Sequence, residues 1–129
     1  MKIKPFHIFE KVYGVNLLVL IGVPKCKVQQ YIEKRFKVKW DYNEPSGAGA
    51  VYDFDEYPFH VLWVKDKLRK EDFLPKLSHE VFHHVLNVCQ TKQVPTVSKE
   101  NGIIADEAAA YLMEFYMREI LKNMSRPTL

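Results

Sequence analysis

Five histidines occur in the 129 residues, and three of them, His79, His83 and His84, fall within six positions. The segment His79-Glu80-Val81-Phe82-His83 has the form HExxH. Residues four apart share a face of a helix, so both imidazoles can point at one ion. Neutral imidazole nitrogen suits zinc, which favours tetrahedral ligands. Glu80, about a quarter-turn round, can reach a water beside that ion without ligating it, which is the place of a general base. In this composition the pattern is expected by chance in only about 0.015 windows. The plain alternative is two surface histidines on an amphipathic helix.

A catalytic zinc usually has three protein ligands and one open position. The extended pattern HExxHxxGxxH would need Gly at 86 and His at 89, where this chain has Leu86 and Cys89. Leu86 lets the helix continue and carries Cys89 away from the ion. The run Asp106-Glu107-Ala108-Ala109-Ala110-Tyr111 offers a carboxylate instead. Glu107 lies 24 residues after His83, enough for a connection and an antiparallel helix. The three alanines allow two helices to approach closely, and Tyr111, one turn on, is expected to line the pocket or hydrogen-bond a substrate oxygen. Asp106 is placed to orient a ligating imidazole, and Glu114 is the alternative ligand. The competing reading of Glu107 is an exposed first-turn acid favoured by the helix dipole. His84 points about 100° away from His83, either as a packed histidine or as a donor to a developing oxyanion.

The elements that must position these groups follow from periodicity. Tyr13 to Ile21 is Val- and Leu-rich enough for a strand covered on both faces, and Gly22 ends it. Pro24 suits a first helical turn, after which Val28, Tyr31, Ile32 and Phe36 recur at helical spacing. Val38 to Asp41 and Ala50 to Phe54 are expected to be short strands flanking the turn-rich loop from Asn43 to Gly49. Phe59-His60-Val61-Leu62-Trp63-Val64 is a further strand. A helix is expected to start near Pro75 and run to about Cys89. A polar connection then leads from Lys92 to Gly102, with at most one short turn. A last helix spans roughly Ile104 to Lys122, with Ala109, Met113, Tyr116 and Ile120 at core spacing. The class is α+β: a small, mostly antiparallel or mixed sheet packed on the HExxH helix, with an amino-terminal helix and a carboxy-terminal helix. One domain is expected over residues 1–129. His7 and His60 read as structural, Cys26 and Cys89 as buried thiols, Trp40 and Trp63 as core or edge aromatics. Gly47-Ala48-Gly49 reads as a flexible turn.

Composition sets the outer limits. A chain that is 47% hydrophobic and 13% aromatic can fill a core, which excludes disorder as a description of the whole. Two cysteines exclude a disulfide scaffold. The longest apolar run, Leu17 to Val23, is far short of the ~20 residues a bilayer span needs, and its flanks do not suit a secretory signal. A cytoplasmic chain with free thiols and no membrane association is therefore expected. The net charge of +3 is uneven. Residues 1–40 hold nine Lys/Arg and two acids, whereas 41–60 hold five acids and no Lys or Arg. The basic helix 25–37 opens the possibility of nucleic-acid association, against the plainer reading of a solvated face.

Leu77-Ser78-His79-Glu80-Val81-Phe82-His83-His84, followed by Asp106 to Leu112, resembles the small zincin-like metallopeptidases of bacteriophage and prophage genomes. It is similar in site plan to the ImmA/IrrE-type and other Glu-zincins, over about residues 60–122. The resemblance implies a minimal zincin-like domain in a bacterial or phage-infected cytosol. It implies one Zn2+ per chain on His79, His83 and Glu107, with Glu80 as base. It further implies that the strand Phe59, His60, Val61, Leu62, Trp63 and Val64 is an edge able to align an extended peptide. The expected activity is cleavage of peptide bonds in a narrow set of protein substrates. The alternative is a non-catalytic, zinc-stabilised binding protein acting on a host protein.

Overall fold

A computed structural model describes residues 3–40, 45–53, 59–94, 98–100 and 103–125. The architecture is α+β: a four-stranded mixed sheet, a short two-stranded sheet and three helices. Strands β1 (Phe6–Glu10), β2 (Val15–Ile21), β3 (Gly49–Asp53) and β4 (Phe59–Val64) lie in the order β1-β2-β4-β3. β2 runs antiparallel to β1 and parallel to β4, while β3 runs antiparallel to β4. Helix α1 (Val28–Phe36) follows a single 3-10 turn at Lys25–Lys27. Helix α2 (Lys70–Thr91) carries HExxH, and after the hairpin β5 (Ser98–Glu100) and β6 (Ile103–Ala105) comes α3 (Glu107–Met124). Among the described residues no helix is long and apolar enough to cross a membrane.

The continuous apolar run of β2 is explained by helices on both of its faces. Leu18 and Leu20 pack with Val61 and Trp63 beneath Val28 and Ile32 of α1. Leu17, Val19 and Ile21 point the other way, with Leu62 and Val64, against α2 and α3. The α3 stripe is Leu112, Tyr116 and Ile120, with Ala109 and Met113 only partly buried at its margin.

Several elements differ from the sequence expectation, each for a local reason. β1 carries no run of branched residues, and pairing with β2 rather than propensity makes it a strand. Residues 38–40 form no strand; they follow a left-handed cap at Lys37 (φ 55°) that closes α1. Asp41, Asn43, Glu44 and Phe54 lie outside the described residues, as does the tail beyond Ser125. α2 begins at Lys70, five residues ahead of Pro75. Glu71 and Asp72 favour that first turn through the dipole, and Arg69 Nε donates to Asp72 Oδ2 at 2.8 Å. Pro75 forfeits only the bond to the carbonyl of Glu71, near the helix start where water can replace it. Part of the connection after α2 forms the β5–β6 hairpin.

The largest correction concerns Phe59–Val64. This strand is not an edge: β4 is paired along both sides, by β2 and by β3. Val61, Leu62 and Trp63 are fully buried and cannot receive a peptide. Among the described residues the end strand of the sheet beside α2 is β3 instead.

Candidate metal and catalytic site

The core stripe of α2 comprises Leu77, Glu80, Val81, His84, Val85 and Val88, at the i, i+3, i+4, i+7 spacing of one helix face. Two polar residues therefore sit on the face that meets the sheet. His79 and His83 lie one position off it, at the solvent rim.

That offset builds the site. The Nε2 atoms of His79 and His83 stand 3.1 Å apart. Two nitrogens bound to one tetrahedral zinc at 2.0–2.1 Å would lie about 3.3 Å apart, so the imidazole pair fits such an ion. Glu80 Oε2 is 4.0 Å from His79 Nε2 and 4.0 Å from Lys76 Nζ. Glu80 is 4% exposed, and burial pushes its carboxyl above the ordinary value against the pull of His79, Lys76 and His83. A raised carboxyl pKa brings a base closer to working pH.

The groups open into a cleft of about 600 Å³ between α2 and the edge strand. Its far wall is Ser46, Gly47, Gly49 and Val51; Lys76, His79, Glu80, His83 and Asn87 form the helical wall. Gly49 is more than part of a flexible turn. A Cβ there would lie 2.8 Å from both Cγ and Oε2 of Glu80 and 2.9 Å from the carbonyl oxygen of Trp63. The bare backbone is what lets β3 lie against the carboxylate. Gly49→Ala is expected to cost about 1–3 kcal/mol of stability and to displace Glu80, read from the denaturation midpoint and from any metal-dependent activity.

The remaining sequence candidates lie elsewhere. Glu107 is the exposed first residue of α3, and Asp106 is its exposed N-cap with no side-chain capping bond. Among the described residues no three His, Cys, Asp or Glu side chains come together as a metal-holding group. The structure thus brings together His79, Glu80 and His83 and does not add Glu107 or Glu114 to them. Tyr111 stacks on Phe115, and its hydroxyl donates to Glu10 Oε1 at 3.3 Å, outside the cleft lining. His84 goes to the core: it is fully buried, packed edge-on to Tyr116 and His60 with ring centroids 4.5 and 5.3 Å away. A donor aimed into the cleft is therefore not its place. His60 is buried with Nδ1 3.8 Å from Asp53 Oδ1, and of Phe59 only the backbone is described. Cys89 is buried, but Cys26, in a 3-10 turn that buries none of its residues, is exposed.

Three residues were not singled out by sequence. Lys76 and Asn87 line the cleft, and their signal was available: they lie three residues before His79 and four after His83. Glu10 is fully buried, accepting the backbone N–H groups of Val12 and Tyr13 and so closing the β1–β2 turn. Comparison with family models, with curated proteins and with solved structures finds no match for this chain.

Proposed function

We propose that the chain is a zinc-dependent peptidase of zincin-like plan that acts on extended protein segments. The observation that carries this reading is the convergence of the two imidazole nitrogens at 3.1 Å beside a buried carboxylate, in a cleft bounded by β3, the end strand of the sheet among the described residues. A zinc ion held by His79 and His83 would polarise a scissile carbonyl and acidify a water. Glu80 would be the residue that takes the proton from such a water and returns it to the leaving amine. Asn87 and Lys76 supply donors along the same wall. The edge of β3, rather than β4, is where an extended peptide would add as a further strand. Glu107 is the proposed third ligand.

Its test is direct. Glu107→Ala is expected to weaken zinc binding by more than the ~10-fold that losing an outer-shell partner of a ligand costs, in a chelator competition titration. Unchanged affinity rejects Glu107 and points to another donor.

The exposed place of Glu107, apart from the imidazole pair, favours a second reading. Here a loosely held zinc stabilises the fold, and the chain acts by binding a host protein. The two readings diverge on one comparison: Glu80→Gln removes function under the first and preserves it under the second.

A further inference from the structure

On another part of the molecule is a second cavity, of about 840 Å³, lined by neither the imidazole pair nor Glu80. It lies between the stretch Ile3-Lys4-Pro5, the loop Ile21-Gly22-Val23-Pro24 and one face of α1 with its leading turn. Because β1 and β2 are antiparallel, the stretch before β1 lies beside the end of β2. Lys27, Gln30, Tyr31 and Lys34 are spaced i, i+3, i+4 and i+7 and so share one helical face.

The lining has a consistent chemistry. Its floor and walls are apolar, from Ile3, Ile21, Val23 and the two prolines, with the ring of Tyr31 half exposed above them. Its rim holds Lys4, Lys27 and Lys34, all exposed, and among the described residues the lining contains no carboxylate. Among the described residues none of the three lysines is in an ion pair. The size falls in the ~300–1,000 Å³ range of small-molecule sites. Ammonium groups recognise charge without fixed direction, and Gln30 is the only neutral side-chain amide among the described lining residues, so a ligand rich in hydroxyls or base edges would leave polar groups unmatched by side chains. Tyr31 is the only aromatic among the described lining residues, too few for a run of stacked bases.

We propose that this cavity binds a single-chain amphiphilic anion, its carboxylate or phosphate held by Lys4, Lys27 and Lys34 and its aliphatic body laid over Ile3, Ile21, Val23 and Tyr31. The site is independent of any metal at His79 and His83. The probe is 11-(dansylamino)undecanoate, titrated below its micellar concentration while its emission is followed. Saturable one-to-one binding is expected, with the methyl ester bound at least ~10-fold more weakly. The double variant K27E/K34E is expected to lose a similar factor and Tyr31→Ala a smaller one, whereas Arg118→Glu on α3 changes nothing. Far-UV circular dichroism of each variant establishes that the fold is retained. The proposal is overturned by absent or non-saturable binding, by equal affinity for the ester, or by indifference to K27E/K34E. It is also overturned if the chain ignores the monomeric probe but binds vesicles only when phosphatidylglycerol is added to phosphatidylcholine. Salt-steep binding of a single-stranded oligonucleotide without a response to the probe would equally exclude it.

Discussion

Under the proposed peptidase reading, Glu80→Gln should leave one zinc per chain in place and reduce metal-dependent cleavage of a protein substrate by about 10²–10⁴-fold. The amide keeps the shape of the carboxyl but cannot accept the proton of the attacking water. Glu80 is also a nearly buried acid against β3, and removing a buried charge relieves desolvation. The denaturation midpoint is therefore expected to stay level or rise, which separates lost chemistry from lost folding. Metal content, activity and midpoint are read on the same preparation. Retained cleavage would remove Glu80 from the reaction, and loss of zinc would make it a ligand.

The second large effect is acid destabilisation through His84. Burial lowers its pKa from the ordinary 6.5 to about 3, and neither ring nitrogen has a protein partner among the described residues. The folded state therefore holds His84 neutral, while the unfolded chain takes up a proton below about pH 6.5. The contribution is fully present above that pH and drains as pH falls toward 3, at roughly 1 kcal/mol per pH unit. His60 shifts downward as well, mainly by burial with Asp53 opposing, and adds the same sign. The check is a series of urea titrations of metal-free protein between pH 7 and 4. His84→Leu should flatten the slope by about that amount, and an unchanged slope would rule out His84 as its source.

The sequence made some of this plain. Apolar spacing was enough to place β2, β4, the HExxH helix and the last helix, because each buries a face whose period survives in the residue order. The imidazole pair was legible for the same reason, since two residues four apart on a helix must share a side. Edge and interior were not legible. Phe59–Val64 is as apolar as an interior strand, but its neighbours are decided by a parallel pairing with residues 16–21, more than forty positions earlier. Local pattern carries no record of that register. Gly49 was opaque likewise: its role is the space it leaves for Glu80, visible only once strand and helix are side by side. His84 was legible as a packed histidine, because it shares the stripe of Leu77, Val81 and Val88.

The β2–β4 pairing also bears on how the molecule reaches its native state. It is the seam between two stretches of chain, one holding β1, β2 and α1, the other holding β3, β4 and the helices that carry the cleft. Each stretch has a local hairpin-like or helical nucleus, but the seam joins Asn16 to Phe59 and closes only after α1 has crossed over. Loop-closure entropy is spent before those contacts give anything back, so among the strand pairings described the seam carries the largest closure cost. Glu80 relies on β3, and β3 pairs with β4 within the same stretch of chain, so every wall of the cleft comes from one side of the seam.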